Sequence, residues 1–497
     1  MAQEYSRRRF LGAAAAWPVM AGVVHAAPPA ASLRPVLRGE DFFKRAVRSV
    51  DEILREAKLS GDVSFAVADA ATGLRLEQRT AGVAQPPASV AKALTALYAL
   101  DALGPTHRFE TRLMTTGGIV DGVVQGDLIL AGGGDPTLDT DRLAGMAAQL
   151  KALGVTGVKG AFKVFDKALP RLDRIDPEQP DQVGYNPGVS GLALNYNRVH
   201  FEWKRGGNGY AVTMDGRSER LRPAVRFAAM RVVDRQSPIY TYADGEGRDN
   251  WTVARPALGN GGARWLPVRK PGLYAAEVFA VLAGAEGIAL GVPGFVDTLP
   301  EADAIVTDRS RDLRTIAREM LKWSTNLTAE MLGLAATRAR GVEVDTLKAS
   351  AAQMNAWAQT ALGMEAPALV DHSGLGDDSL LSTADMVTAL VQVRDTGLRD
   401  ILKPIAMRDE NRRVIQDHPI RVDAKTGTLN FVSTLAGYLT GPDGTEMAFA
   451  IFTADPAIRA TITRAEREGP AGGRTWNRRS KRLQQALIER WGVLYGA

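Results

Sequence analysis

The hydrophobic pattern is most distinctive between Pro86 and Pro105. Two prolines open this stretch and Gly104 stands just before its end, while most residues between them are apolar or strong helix formers. A helix that is apolar on nearly every face is normally buried, so the pattern predicts a buried helix. Ser89 and Lys92 interrupt it in the first turn, where a spacing of three places both side chains on one face.

Two other periodicities run through the rest of the chain. Helical spacing predicts helices over residues 39–59, 312–321, 327–338, 344–362 and 478–491. Alternating and β-branched runs predict strands over residues 63–68, 74–77, 420–428, 432–439 and 447–453. We expect the two strand regions, although far apart in sequence, to form one antiparallel sheet flanked by helices. The C-terminal helix is predicted to dock against this sheet, which we favour over binding to a membrane surface.

The chain changes character between residues 105 and 303, where short strand-like runs alternate with glycine-rich turns. At 497 residues the chain is also long for a single core. We therefore interpret residues 105–303 as one or two inserted β-rich domains. Residues 27–104 and 304–497 would together form one α/β (α+β) domain around the predicted sheet.

Composition excludes several kinds of chemistry. The chain has no cysteine, which rules out disulfides, thiolate catalysis and zinc–cysteine sites. Its 5 histidines show no His-Glu-x-x-His spacing, and no serine lies in Gly-x-Ser-x-Gly, so we expect neither a metalloprotease nor an α/β-hydrolase. With 61 Lys and Arg against 56 Asp and Glu, the net charge of +5 gives no support for nucleic-acid binding. We expect no metal and no cofactor.

Residues 1–26 predict an export signal. Arginines 7–9 precede Phe10 and an apolar run from Leu11 to Val24, and small residues surround Ala26, the expected cleavage position. The arginines followed by Phe-Leu resemble a twin-arginine signal, and the alternative is a general secretory signal. The apolar run is too short to span a membrane, and no later stretch is long enough. We therefore expect a periplasmic protein with no integral membrane segment in the mature chain.

Ser89 and Lys92 form a Ser-x-x-Lys motif. In isolation this motif is more often a capping serine and a solvated lysine. Two further triplets change the interpretation, because they follow in the order found in serine β-lactamases and penicillin-binding proteins. They are Ser324-Thr325-Asn326 and Lys425-Thr426-Gly427. A lysine accepts the proton of a serine hydroxyl only when it is neutral, and burial in an apolar helix favours the neutral amine.

The three motifs resemble the active-site set of the penicillin-recognising serine enzymes, and longer stretches are similar to the class C low-molecular-mass penicillin-binding proteins. These stretches are Gly132–Leu138, Arg318–Leu332, Asp371–Leu375 and Ala424–Leu429. That family comprises D-alanyl-D-alanine carboxypeptidases and endopeptidases. The resemblance implies a transpeptidase-like domain interrupted by a large insertion, with peptidoglycan peptides as substrates and β-lactam antibiotics as inhibitors. It leaves the oligomeric state open.

The resemblance also implies which residues act. The implied catalytic residues are Ser89, Lys92, Ser324, Asn326 and Lys425. The implied substrate-binding residues are Thr426, Gly427 and Thr428. In this scheme Ser89 forms the acyl-enzyme, Lys92 is its base, and Ser324 relays a proton to the leaving amine.

The remaining implied roles are contacts to the substrate. Asn326 would hold the amide of the acyl side chain. Lys425 and Thr426 would bind the terminal carboxylate. The backbone amides of Ser89 and Thr428 would form the oxyanion hole, where the loss of one donor costs roughly 3 to 4 kcal/mol of transition-state stabilisation.

Two positions depart from the family pattern. His372 stands where the family usually has a glycine, and Gly376-Asp377 replaces a common Ser-Arg pair. We expect His372 to be an exposed loop residue rather than a ligand of the substrate. Asp377 and Asp378 make this loop more acidic than the family pattern. These departures bear on substrate preference more than on the chemistry.

Two other functions are compatible with the sequence. A serine β-lactamase shares the acylation step, but no Glu-x-x-Leu-Asn loop that would hold a deacylating water follows residue 326. A non-catalytic wall-binding scaffold could keep the fold, although all three motifs are intact. The sequence does not separate carboxypeptidase from endopeptidase activity, because both cut the same kind of D-Ala linkage.

Overall fold

The structure is a computed structural model that describes residues 47–245 and 247–496. The predicted export signal and the first part of the predicted helix over residues 39–59 lie outside the described residues. The described helices are α1 (Val50–Ala57), α2 (Ala91–Leu103), α3 (Thr140–Ala152), α4 (Pro271–Ala285), α5 (Leu313–Trp323), α6 (Asn326–Ala339), α7 (Leu347–Leu362), α8 (Thr383–Gln392), α9 (Pro456–Arg459) and α10 (Gly473–Tyr495). The predicted helices over the described residues are confirmed, and the C-terminal one is longer at both ends than its spacing indicated.

The strands fall into a group at the two ends of the chain and a larger group between them. They are β1 (Asp62–Asp69), β2 (Arg75–Arg79), β3 (Glu110–Thr115), β4 (Ile119–Val120), β5 (Val123–Val124), β6 (Leu128–Gly132), β7 (Gly157–Val158), β8 (Phe162–Phe165), β9 (Arg198–Gly206), β10 (Gly209–Asp215), β11 (Ala228–Val233), β12 (Tyr240–Gly245), β13 (Arg248–Ala254), β14 (Gly261–Pro267), β15 (Gly294–Phe295), β16 (Asp303–Arg309), β17 (Lys403–Pro404), β18 (Arg421–Leu429), β19 (Val432–Thr440) and β20 (Glu446–Ala454).

The predicted sheet joins the two ends of the chain. Its strand order is β17-β18-β19-β20-β1-β2, and every neighbouring pair is antiparallel. Alternate residues of a strand point to opposite faces, so each face of the sheet can be covered by its own layer of helices. The prediction of one antiparallel sheet flanked by helices is confirmed.

The two faces of this sheet bury different cores. Ala450 packs with residues of α2, α5, α6, α7 and α8, whereas its neighbour Ile451 packs with residues of α1 and α10. In α10, the Trp491 ring lies 5.7 Å from the ring of Phe65 and 6.0 Å from that of Phe449, measured between centroids. The C-terminal helix therefore docks on the sheet, as predicted.

Residues 105–303 contribute strands to four smaller sheets. One is five-stranded, in the order β15-β8-β6-β3-β16, and the other three have three strands each. A separate hydrophobic core fills this region and contains Leu150 of α3 and Phe279 of α4. These two helices were not predicted from the sequence, whereas the β-rich character was. The proposed domain boundaries stay a prediction.

None of the described helices combines the length and the apolar character that crossing a membrane requires.

Candidate active site

Ser89 lies in a short helical turn, Ala88–Val90, that follows Pro87 and leads into α2. The predicted buried helix is confirmed, with its first turn wound more tightly than an α-helix. Lys92, at the beginning of α2, is completely buried. Ser89 is half-buried and lines a cleft. The predicted base therefore lies behind the predicted nucleophile and away from water.

The Lys92 amine has three hydrogen-bond partners. Its Nζ lies 2.9 Å from Ser89 Oγ, 2.7 Å from Asn326 Oδ1 and 2.8 Å from the Ser373 carbonyl oxygen. The last two oxygens can only accept hydrogen bonds. A neutral amine has two hydrogens, and these two acceptors engage both of them. Its lone pair is then directed at the Ser89 hydroxyl, which is the arrangement that proton transfer from Ser89 requires.

Burial favours the neutral form of this amine. Loss of hydration lowers the pKa of Lys92 from its ordinary value to about 8, while the charges of Glu330 and Asp371 act in the opposite direction. Both carboxyl groups are buried as well, and burial raises their pKa values. With a pKa of about 8, Lys92 is neutral in roughly a tenth of the molecules at pH 7.

A second buried lysine contacts the second predicted serine. Lys425 of β18 donates from Nζ to Ser324 Oγ at 3.0 Å and to the Thr426 carbonyl oxygen at 2.6 Å. Ser324 ends α5, and its left-handed backbone (φ 60°, ψ 39°) turns the chain before α6 begins. Burial lowers the pKa of Lys425 well below its ordinary value, and the charges of Lys92 and Lys403 lower it further.

Close backbone contacts join the sheet and a loop to the turn before α2. Thr434 Oγ1 of β19 donates to the Pro87 carbonyl oxygen at 2.7 Å. Gly427 of β18 lies against the same turn, where a Cβ atom would come within 2.8 Å of that carbonyl oxygen. Gly374 has a φ of +70°, and its Cβ would lie 1.9 Å from the Ala88 carbonyl oxygen. Larger residues at either glycine would push the turn away.

The predicted residues border one cleft of about 460 Å³. Its lining includes five of them: Ser89, Ser324, Asn326, Thr426 and Thr428. The two threonines are exposed on the same face of β18, and Gly427 between them is buried. The two buried lysines each bond to one of the lining serines. The structure thus brings together all eight residues that the family resemblance implies.

One edge of β18 is open beside the cleft. β17 pairs with β18 only at Asp423 and Ala424, and β19 covers the opposite edge. Within the described part of the chain, no strand pairs with residues 426–428 on the β17 side. An extended peptide can add at such an edge through backbone hydrogen bonds.

The cleft also contains residues that the motifs did not indicate. Asn326 Nδ2 donates to the Tyr185 carbonyl oxygen at 3.0 Å, so this amide bridges the buried lysine and a loop of the 105–303 region. Arg459 and Arg467 both form ion pairs with Asp377. The loop after Leu375 carries Asp377, an acidic residue noted in the sequence. The two arginines compensate the charge of Asp377.

Glu330 was missed by sequence reasoning. This completely buried carboxyl group accepts the backbone N–H groups of His372 and Ser373 at 2.9 Å each. It thereby holds the two residues that lead up to the Ser373 carbonyl, the group that contacts Lys92, while Asp371 accepts the N–H of the same peptide unit as that carbonyl. Glu330 follows Asn326 by four positions on α6, so the two side chains lie on one helix face. A carboxyl group at that position, among mostly apolar neighbours, is the sequence signal that could have indicated its role.

The prediction that His372 is an exposed loop residue is wrong. Its side chain is completely buried, and Nε2 shares a hydrogen bond of 2.8 Å with Ser350 Oγ of α7. Burial lowers the pKa of His372 to about 3, so the imidazole is neutral. The loop is folded back on itself by Asp371, which accepts the backbone N–H groups of Gly374 and Gly376 at 2.6 Å each. The location of His372 in a loop does not predict this turn, because the turn depends on the side-chain contacts of Asp371.

Comparison with known proteins gives consistent matches. A family model described as the D-Ala-D-Ala carboxypeptidase 3 (S13) family matches residues 46–470. The D-alanyl-D-alanine carboxypeptidase of Actinomadura sp. (strain R39) is 28% identical over 450 residues, which cover 81% of this chain and 79% of that protein. The D-alanyl-D-alanine carboxypeptidase DacB of Haemophilus influenzae is 24% identical over 395 residues, which cover 73% of this chain and 79% of that protein.

Solved structures show the same fold. The crystal structure of penicillin binding protein 4 (dacB) from Haemophilus influenzae matches with a TM-score of 0.71 and 18% identity, over 90% of this chain and 99% of that chain. The same protein complexed with a β-lactam matches with a TM-score of 0.70 and 19% identity, over 90% of this chain and 100% of that chain. The predicted transpeptidase-like α/β fold is confirmed.

Proposed function

Because this chain belongs to the D-Ala-D-Ala carboxypeptidase 3 (S13) family, we propose that it cleaves D-Ala–D-Ala linkages of peptidoglycan stem peptides through an acyl-enzyme on Ser89. The observation that carries this proposal is the 2.9 Å contact between Lys92 Nζ and Ser89 Oγ. The other two acceptors around Nζ engage its hydrogens and leave its lone pair for the hydroxyl proton.

Acylation begins when the neutral Lys92 amine takes the proton of Ser89. The Ser89 oxygen then attacks the carbonyl carbon of the scissile peptide bond. We assign the oxyanion hole to the backbone N–H groups of Ser89 and Thr428, and the position of both residues in the lining of one cleft supports this assignment. The negative charge that develops on the carbonyl oxygen is thereby stabilised where it forms.

The leaving amine needs a proton when the C–N bond breaks. We assign this transfer to the hydroxyl of Ser324, which lines the cleft and accepts a hydrogen bond from Lys425 at 3.0 Å. The proton that Lys92 took from Ser89 then replaces the one that Ser324 gives up, so both groups return to their starting states. The terminal D-alanine leaves as an amine, and the rest of the peptide stays as an ester of Ser89. Water then attacks this ester, its hydrogen returns to the serine oxygen, and the shortened peptide is released.

Substrate orientation follows from the strand beside the serines. The peptide would lie along the open edge of β18, with its terminal carboxylate at Lys425 and the hydroxyl of Thr426. Asn326 would hold the amide of the acyl side chain with the Nδ2 hydrogen that Tyr185 does not engage. The exposure of Thr426 toward the cleft supports this orientation.

The wider assignments rest on the same family membership. We propose that β-lactams acylate Ser89 as substrate analogues, and the relative from Haemophilus influenzae that was solved with a bound β-lactam supports this. We place the enzyme in the periplasm after removal of residues 1–26. We also propose that residues 27–104 and 304–497 form the catalytic domain and that 105–303 is an insertion, because the six-stranded sheet takes no strand from that interval.

The test uses the purified full-length protein with three substrates. Benzylpenicillin should give a persistent mass adduct on the peptide that contains Ser89, a stem pentapeptide should release D-alanine, and whole peptidoglycan should lose both terminal alanine and cross-links. Rapid turnover of the penicillin with no persistent adduct would instead indicate a β-lactamase. No adduct and no release of D-alanine would indicate a non-catalytic scaffold.

A further inference from the structure

The buried imidazole of His372 occupies a notch in α6 that exists because residue 333 is glycine. A Cβ atom on Gly333 would lie 2.1 Å from Cγ and 2.2 Å from Nδ1 of the imidazole. Glycine in the interior of a helix is unfavourable relative to alanine, so the helix gains nothing locally from this residue. The two positions are therefore sterically coupled, since the ring fits only where the helix lacks a side chain.

A chain of buried hydroxyl groups also holds the ring. His372 Nε2 lies 2.8 Å from Ser350 Oγ, and Ser350 Oγ lies 2.7 Å from Thr337 Oγ1. Thr337 Oγ1 in turn lies 3.1 Å from the Tyr98 hydroxyl oxygen. The chain links α7 and α6 to α2, the helix that carries Lys92. The proposed reaction uses none of these side chains.

The backbone next to this ring contacts the catalytic base. Thr95 Oγ1 donates to the His372 carbonyl oxygen at 2.6 Å. The next carbonyl, that of Ser373, accepts from Lys92 Nζ at 2.8 Å. Glu330 receives the N–H groups of both loop residues at 2.9 Å each. The Ser373 carbonyl, which accepts one hydrogen of Lys92 Nζ, is thus one residue along the chain from the buried ring of His372.

We propose that His372 is a positioning residue for the base of the reaction. Its ring, wedged against Gly333, fixes the Ser373 carbonyl as an acceptor for Lys92. The lone pair of the amine then stays directed at the Ser89 hydroxyl. This inference rests on the proposed function, in which Lys92 is the base.

The effect is one of position and water access, not of charge. Lys92 is faced by the carboxyl groups of Glu330 on α6 and Asp371 in the loop, and by the amine of Lys425 on β18. His372 is neutral and does not change this set of charges. Without the ring, the loop moves more freely and water reaches the amine, whose pKa then rises toward its ordinary value.

The experiment compares the parent protein with His372→Ala, Gly333→Ala and the double variant, all as full-length chains. Each is measured for its second-order rate constant of acylation by benzylpenicillin across the pH range, and for its thermal unfolding midpoint. Leu150→Ala is the matched control, because it opens a buried cavity in the separate core of the 105–303 region.

We expect His372→Ala to slow acylation at pH 7 roughly tenfold or more, and to move the ascending limb of the pH profile up by about one pH unit. Gly333→Ala should act in the same direction, because its methyl group displaces the ring. Acylation of the double variant should be no slower than acylation of His372→Ala, since the methyl group at position 333 then has no imidazole ring to displace. Leu150→Ala should lower the unfolding midpoint without moving the pH profile.

The inference is overturned if His372→Ala acylates at the parent's rate and with the parent's pH profile, whatever its unfolding midpoint. It is also overturned if the rate losses of the two single variants add in the double variant, as they do for independent sites. Should His372→Ala fail to fold, Ser350→Ala takes its place, and an unmoved pH profile then counts against the inference. If the parent itself is not acylated on Ser89, the proposed function fails instead.

Discussion

The cleft contains two lysine–serine pairs that differ in their surroundings. Lys92 and Ser89 are neighbours at the beginning of one helix, whereas Lys425 comes from a strand and Ser324 from the joint between two helices. The amine–hydroxyl distances are nearly equal, 2.9 and 3.0 Å, and both amines are buried. Carboxyl groups act on Lys92, but the charges that act on Lys425 are those of other lysines.

This difference separates two tasks that use the same side chain. Burial lowers the pKa of Lys92, and the Asn326 and Ser373 oxygens fix its amine, so it can serve as a base without a contribution from the substrate. Among the described residues, the charges that act on Lys425 are those of lysines and not of carboxyl groups, so a bound carboxylate would supply the counter-charge. Binding of the carboxylate should therefore be linked to uptake of a proton by Lys425, and should weaken as the pH rises.

The largest effect on the Lys92–Ser89 pair is expected for Ser89→Ala. This variant should lose all covalent labelling by benzylpenicillin and all release of D-alanine, because no hydroxyl remains to form the ester. Mass spectrometry of the intact protein measures the adduct. Ser64→Ala is the matched control, since it removes the hydroxyl of a buried serine that bonds to Thr383 outside the cleft. An adduct on the Ser89→Ala protein would assign the nucleophile elsewhere.

Lys92→Met should slow acylation by roughly 10² to 10⁴-fold, the range that general-base catalysis commonly supplies. In the parent, the base must be neutral, so acylation should rise with pH and level off above the Lys92 pKa of about 8. The variant should lose this ascending limb. Stopped-flow acylation by a chromogenic β-lactam measures both effects, and a retained limb would show that another group is the base.

Lys425→Met should lower kcat/KM for a peptide with a free terminal carboxylate by roughly 10- to 150-fold, because a charge-assisted hydrogen bond contributes about 1.5 to 3 kcal/mol. For the parent with this substrate, kcat/KM should also show a descending limb as Lys425 is deprotonated, because burial and the charges of Lys92 and Lys403 lower the pKa of this amine. With a terminally amidated peptide, the parent and the variant should be nearly equal and the descending limb should vanish. An equal loss on both substrates would mean that Lys425 acts on the chemistry rather than on the carboxylate.

The smallest effect should come from Lys403→Met. Lys403 is exposed, and its charge lowers the pKa of Lys425 but is not among the causes that act on Lys92. Removal of the Lys403 charge should move only the descending limb of the kcat/KM profile, to slightly higher pH. The change in rate should be less than about threefold, because solvent screens the charge of Lys403. A shift of the ascending limb in kinetic titrations would mean that the two pairs are not electrostatically distinct.

Sequence reasoning was successful where the signal is local or repeated. The helix that carries Lys92 and five strands of the six-stranded sheet, all but the short β17, follow from periodicity. The site residues follow from short spacings and a family resemblance. Predicting the sheet also required the inference that strands from the two ends of the chain pair with each other. The burial of a continuous apolar face favours this pairing.

The remaining part of the site depends on tertiary contacts that have no local signal. His372 is buried because Asp371 folds the loop and Gly333 leaves space, and neither effect is visible at position 372 itself. The contact of Asn326 with the Tyr185 carbonyl depends on where the 105–303 region lies against α6. The helices α3 and α4 were missed because they lie in an interval where short strands and glycine-rich turns dominate the pattern.

The pairing of β1 with β20 has a consequence for how the molecule is made. β1 is synthesised early, yet all eight of its residues, Asp62 to Asp69, pair with residues 447–454 near the other terminus. During translation this strand has no partner on that side until residues 447–454 have left the ribosome. A nascent chain that stalls before residue 446 would therefore lack β20, the strand that joins β1 and β2 to β17–β19, and would be a target for chaperones and proteases rather than a partial enzyme.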